Sequence, residues 1–221
     1  MALTVTLIGG ESSGKSTLAQ ALQQALDAQG VHNTLVAERL RHWCEQQGRA
    51  PLAHEQAERA QDQARAIAAA VQDADPTVVL ADTTALVVAA YSELYFGDRS
   101  LWPAAVEQQK GYQLTLLMGL DLPWVPDGLF RDGPALRQAT DALLRRELQA
   151  AGIAFQTLYG PLERRVQQAL RAIGAALQRP LTTPDTTWEQ GRRPWNCEKC
   201  SDPDCEHRLF TQLLQQRTRE A

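Results

Sequence analysis

No stretch of this 221-residue chain approaches the ~20 apolar residues that a membrane-spanning helix needs. The N-terminus enters an apolar run directly, with neither a basic segment nor a cleavage site, so no signal peptide is expected. Cysteine is scarce: Cys44, Cys197, Cys200 and Cys205 are too few and too clustered for a secreted disulfide framework. Positive charge is not in excess either. With 22 basic and 26 acidic residues the net charge is −4, which argues against a general nucleic-acid or acidic-membrane surface. Internal repeats are absent. A soluble cytoplasmic protein is the expectation, without nucleic-acid or membrane partners, and no motif sets an oligomeric state.

What is present is an ordinary globular composition, 44% hydrophobic, in a chain long enough for one sizeable α/β domain and a modest appendage. Its most informative stretch is Gly9-Gly10-Glu11-Ser12-Ser13-Gly14-Lys15-Ser16-Thr17. An apolar run, residues 3–8, precedes it and a helical run beginning Leu18-Ala19-Gln20 follows. Gly9, four residues, then Gly14-Lys15-Ser16 is the phosphate-binding loop pattern in its strand–loop–helix setting. The glycines let backbone N–H groups turn inward on a polyphosphate, and the new helix aims its positive end there. Lys15 is expected on the β/γ-phosphates, and Ser16 on Mg²⁺. The chain therefore reads as one that binds a nucleoside triphosphate.

Around the loop, apolar strands alternate with helical runs, which predicts a parallel sheet wrapped by helices. Helices are expected over residues 14–29, 52–73, 85–95, 101–109, 139–151 and 161–177, with Pro51 suiting the first position of the second. Strands are expected over 3–8, 34–37, 77–81, 113–118 and 153–156. Polar residues arrive at strand ends, where open α/β sheets bind ligands. Glu38 is thus a candidate to handle a substrate hydroxyl and Arg41 to contact a phosphate or carboxylate; a solvated helix start is the competing reading. Asp82 closes an apolar strand, as the Mg²⁺-holding acid of a phosphate-binding loop does, though it could also cap the next helix. The Pro- and Gly-rich segment 122–134, flanked by Arg131 and Arg137, reads as a lid closing on phosphates.

After Pro180 the composition turns polar. Cys197, Cys200, Cys205 and His207 supply four soft ligands within eleven residues, the donor set of a tetrahedral, structural Zn²⁺ site; a metal-free thiol cluster or an iron–sulfur site is the alternative. Residues 1–179 are read as a phosphate-binding-loop domain and 180–221 as a Cys/His-rich tail. Cys44, beside Trp43, reads as a buried apolar residue.

The runs Gly9–Leu18, Glu38–Arg41, Leu80–Thr83 and Pro123-Trp124-Val125-Pro126-Asp127-Gly128-Leu129 resemble the nicotinamide riboside kinase domain of NadR-type proteins over about residues 3–177. This chain has Thr84 where that family often has a second acid, and Glu38-Arg39-Leu40-Arg41 in place of Glu-aromatic-Gly-Arg. The resemblance implies a P-loop nucleoside-kinase-like fold and transfer of the ATP γ-phosphoryl to the ribose 5′-hydroxyl of nicotinamide riboside, a small-molecule partner. It implies Asp82 beside Mg²⁺ and the hydroxyl, and Trp124 and Asp127 in the nucleoside pocket. Trp124 or Tyr91 could stack on the cationic nicotinamide ring. Lys15, Glu38, Asp82, Arg131 and Arg137 would carry the chemistry. The competing class is a regulatory ATP-binding protein whose zinc tail docks a partner.

Overall fold

A computed structural model describes residues 2–73, 77–125 and 133–182. Five parallel strands form one sheet in the order β2-β3-β1-β4-β5: β1 Leu3–Ile8, β2 Asn33–Val36, β3 Val78–Asp82, β4 Leu114–Met118 and β5 Gln156–Leu158. Among the described residues seven α-helices accompany them: α1 Lys15–Asp27, α2 Arg39–Gln47, α3 Gln56–Gln72, α4 Ala85–Phe96, α5 Trp102–Lys110, α6 Pro134–Ala150 and α7 Leu162–Ala176. The central strand β1 pairs with β3 and β4, Leu7 standing opposite both Asp82 and Leu116. The chain thus leaves β1 between two neighbours it has not yet formed, and their carboxyl ends open beside its exit.

Side-chain alternation on the strands sorts the core into faces. Val5 and Leu7 of β1 join Leu80, Leu116 and Leu158 against Leu18, Leu22 and Leu26 of α1 and Ala169, Leu170 and Ile173 of α7. The opposite face, with Ile8 and Leu117, packs on α4, α5 and α6. Val79 and Ala81 meet Ile67 and Ala70 of α3. This is a three-layer α/β/α arrangement in which α4 has residues 85–90 buried without interruption. Thr6 also points to that second layer, where Gln109 donates to Thr6 Oγ1 and Thr115 Oγ1 (2.9 Å each) and accepts from Thr84 Oγ1 at 2.9 Å. A saturated polar knot of this kind fixes α5 against the sheet.

Several boundaries differ from the sequence reading, each for a local reason. The fifth strand begins at Gln156 rather than Ile153, because Gly152 takes φ +65° and Ile153 N–H donates back to the Leu148 carbonyl at 2.9 Å, closing α6. The helix expected from Leu52 starts at Gln56, after a 3₁₀ turn at Ala53–Glu55, so Pro51 lies ahead of it. There Glu55 accepts from Leu52 N–H (2.8 Å) and from both terminal nitrogens of Arg49 (2.6 and 2.7 Å). That pairing holds the Glu55 carboxyl down at about 2. Helix α2 begins where a solvated helix start is the competing reading of Glu38–Arg41; Gly48 at φ +66° ends it. Cys44 is buried and free, as expected, and burial pushes its thiol pKa up.

Candidate active site

The loop from β1 to α1 has a backbone that few sequences tolerate. Gly9, Ser12 and Gly14 take φ of +151°, +50° and +84°, conformations open mainly to glycine and, at a cost, to small polar residues. Gly10 is required for another reason: a Cβ there would lie 2.9 Å from the Arg137 carbonyl oxygen and 3.1 Å from its Cα. Lys15, only 5% exposed, reaches across the loop and donates to the carbonyls of Gly9 (3.0 Å) and Gly10 (2.9 Å). Ser13 Oγ donates to the Gly10 carbonyl at 2.7 Å. The loop therefore encloses a cation on its own carbonyls, with the first turn of α1 directly behind it.

On the side of β4 and β5 the loop is tied to its neighbours. Glu11, 8% exposed, accepts from Trp124 Nε1 (3.2 Å) and from Gly133 N–H (3.0 Å), which clamps both flanks of segment 126–132 to the loop. Ser12 Oγ donates to the Val125 carbonyl (2.9 Å) and accepts from Val125 N–H (3.0 Å). Arg137, on the first turn of α6, donates to the carbonyls of Ser12 (3.3 Å) and Leu122 (3.0 Å), while its Nε has no partner. Trp124 is half-buried, with its indole N–H committed to Glu11.

On the side of β3 and β2 the polar groups are less committed. Asp82, 4% exposed and level with Leu7, has a buried Oδ1 that accepts nothing from the described residues. The next residue, Thr83, has φ +74°, a strained state for a β-branched side chain, and its buried Oγ1 is also unpartnered. Its N–H donates to the Leu7 carbonyl at 3.0 Å and its own carbonyl accepts from Gln63 Nε2 at 3.2 Å. The cap of α4 is Thr84, whose Oγ1 accepts from Leu86 N–H, so Asp82 is released from that duty. Glu38 occupies the N-cap position of α2 but makes no capping bond; its Oε2 is buried without a hydrogen bond, 3.4 Å from an Arg41 nitrogen. Arg41 in turn donates to Ser16 Oγ at 3.4 Å. Glu38, Arg41 and Ser16 thus form a continuous chain of contacts from the end of β2 to the start of α1.

Of the other sequence candidates, Tyr91 is half-buried against the second core layer, its ring 6.3 Å from that of Tyr95. Thr17 stands on the first turn of α1. Asp127, Arg131, Cys197, Cys200, Cys205 and His207 lie outside the described residues. Among the described residues, no group of three or more His, Cys, Asp or Glu side chains could hold a metal ion, and no helix is long and apolar enough to cross a membrane.

Two contributors escaped the sequence reading. Gln63 accepts from Arg39 N–H (2.9 Å) and donates to the Thr83 carbonyl, joining α2 to the end of β3. Arg165, 1% exposed, donates to the Ser13 carbonyl of the loop at 2.8 Å. Both were detectable in principle. Gln63 falls on the buried stripe 56, 60, 63, 67, 70 of α3, and Arg165 on the stripe 165, 169, 170, 173 of α7. A polar residue on an apolar stripe announces a buried hydrogen-bond partner.

Solved structures share this architecture. NadR protein in complex with NAD and AMP-PNP is similar with a TM-score of 0.67 and 20% identity, over 83% of this chain and 52% of that one. NadR protein in complex with NR gives 0.65 and 21% over the same shares, so this chain spans about half the length of those proteins. Deoxyadenosine kinase from M. mycoides, solved with dCMP and dCDP bound, gives 0.52 and 8% over 78% of this chain and 100% of its own. No curated protein sequence matches. The likenesses establish the fold: an α/β P-loop, nucleoside-kinase-like sheet wrapped by helices. A family model described as an AAA domain matches residues 4–165, well over half of the sequence, and the chain belongs to that family.

Proposed function

We propose that this protein is an ATP-dependent small-molecule kinase that phosphorylates the 5′-hydroxyl of a nucleoside, with nicotinamide riboside as the acceptor. The single observation that carries the reading is the pairing of a closed phosphate-binding loop with a buried, unpartnered Asp82 carboxylate oxygen at the adjacent strand end. A buried acceptor without a donor among the described residues calls for a ligand, and at the strand end paired with the one that leads into the phosphate-binding loop that ligand fits hydrated Mg²⁺. Ser16 and Asp82 would hold the ion; when bound it neutralises phosphate charge. The fold shared with NadR bound to NR supports the choice of acceptor.

In this reading the residues of the chain mostly position and neutralise. Lys15, now on the Gly9 and Gly10 carbonyls, exchanges them for the β/γ-phosphate oxygens. Backbone N–H groups of Gly10–Ser16 receive the rest of the polyphosphate. Glu38 and Asp82 present oxygens that only accept, the property needed to orient an acceptor hydroxyl. Arg41 contacts the acceptor side, Arg137 with Arg131 neutralises charge on the transferred group, and Trp124, Tyr91 and Asp127 contribute to the nucleoside pocket. Residues 1–179 form the kinase unit, and 180–221 an appended tail.

Purified protein incubated with Mg-ATP and a nucleoside panel that includes nicotinamide riboside should release ADP in proportion to one acceptor. ADP release that no acceptor stimulates would sink the kinase reading and favour a regulatory ATPase.

A further inference from the structure

Arg165 is the largest side chain among those fully buried, and the chemistry proposed above leaves it unused. A guanidinium withdrawn from water must place its donors on protein acceptors. Its Nε donates to the Gly160 carbonyl at 2.8 Å, one terminal nitrogen to the Ser13 carbonyl at 2.8 Å, and the other to the Gly119 carbonyl (3.2 Å) and Asp121 Oδ1 (2.6 Å). Burial pushes its pKa down, and the Asp121 carboxylate opposes that shift. The three carbonyls belong to three segments: the phosphate-binding loop, the exit of β4 and the turn from β5 to α7. Asp121 also accepts from Gly160 N–H at 2.5 Å, so it is held from two sides.

The consequence for the loop follows from peptide geometry. The Ser13–Gly14 unit is planar and trans, so its C=O and N–H point in opposite directions. With the Ser13 carbonyl drawn back onto Arg165, the Gly14 N–H is turned away from that guanidinium. Gly14 holds this arrangement at φ +84°, and a Cβ there would lie 3.9 Å from the Arg165 guanidinium. An amide aimed in advance at a developing or bound anion costs nothing to reorganise when the anion arrives.

We propose that Arg165 is the positioning residue of the phosphate-binding loop: by pinning the Ser13 carbonyl it presets the Gly14 N–H for a nucleotide phosphate. The inference rests on the ATP-binding reading above. It sets Arg165 apart from an ordinary buried tie, because the planar fork is what lets one side chain serve three carbonyls and a carboxylate. An ammonium cannot reproduce that geometry.

The test uses the full chain, with Mg-ATP as the probe and Tm recorded for every variant. Arg165→Lys should raise the KM for ATP about tenfold, with the acceptor KM little changed. Asp121→Asn, which loosens the guanidinium without touching the loop, should give a smaller rise of the same kind. Ile173→Val, about two turns further along the buried stripe, should lower Tm while leaving the ATP KM at the wild-type value. If Arg165→Lys lowers Tm and its ATP KM stays within about twofold of wild type, Arg165 is only a structural tie and the inference is overturned. Should Arg165→Lys not fold, an unchanged ATP KM in Asp121→Asn overturns it equally. Failure of the wild-type protein to bind Mg-ATP would show in that arm alone; it would remove the ATP reading and this inference with it.

Discussion

The two flanks of the phosphate-binding loop are built differently. Toward β4 and β5, Glu11, Ser12, Ser13 and Arg165 meet defined partners on three other segments. Toward β3 and β2, Asp82 Oδ1 and Thr83 Oγ1 are buried with no hydrogen bond among the described residues, Glu38 Oε2 has only its 3.4 Å ion pair with Arg41, and Thr83 is strained. Buried polar atoms in folded proteins are nearly always paired. Two such atoms at the end of β3, next to a Glu38 held only by its ion pair with Arg41, therefore mark the flank where something from outside completes the structure, and the more fully paired flank, Arg137 Nε excepted, is what keeps the loop still meanwhile. Stability and function are divided between the two sides of one loop.

The division can be broken most sharply at Asp82. Asp82→Asn should lower kcat by about 10²–10³-fold. Tm should hold or rise, since the change removes a buried carboxylate that lacks a partner. A matching fall in Tm and in kcat would erase the distinction between the flanks. Next in size is Gly10→Ala on the saturated side. Its Cβ would press on the Arg137 backbone, and overpacking of this kind costs about 1–3 kcal/mol, to be read by denaturant unfolding. Glu11→Gln should cost less, about 1 kcal/mol, because one oxygen can still accept while the charge is lost. Limited proteolysis between residues 122 and 137 checks whether that segment is released.

The smallest effect lies away from the loop, at Glu55. Its folded pKa of about 2 is below the ordinary 4.5, so the ionised form is favoured by folding. The stability it contributes is fully present above the ordinary value and is lost as pH falls through the folded one. Wild type should therefore exceed Glu55→Gln by a constant margin above about pH 5, and the two unfolding curves should converge toward pH 2. A margin that persists at pH 2 would mean that packing, rather than the ion pair with Arg49, holds the turn.

Much of this arrangement was legible beforehand. The alternation of strands and helices, the loop at residues 9–17, the strand ending in Asp82 and the buried state of Cys44 were all read from local pattern. The start of β5 was misplaced because Ile153 and Phe155 look like a strand, whereas Gly152 first has to close α6. The extent of helix α2 beyond a start at Glu38 was not legible, because it has only Cys44 buried and so no apolar stripe to reveal it. Gln63 and Arg165 were missed because their partners lie 20 and 152 residues away.

The sequence by itself determined the phosphate-binding loop, since glycines at left-handed positions and a lysine at fixed spacing act within a few residues of one another. It also determined the class of sheet, because apolar strands with helical crossovers can only bury both faces by pairing in parallel. Tertiary structure alone decided that β3 and β4 flank β1, and hence that Asp82 stands level with Leu7 beside the loop. It alone decided which flank is saturated. Hydrogen-bond partners of buried groups are chosen by spatial neighbours, and those are brought together only when the sheet order is set.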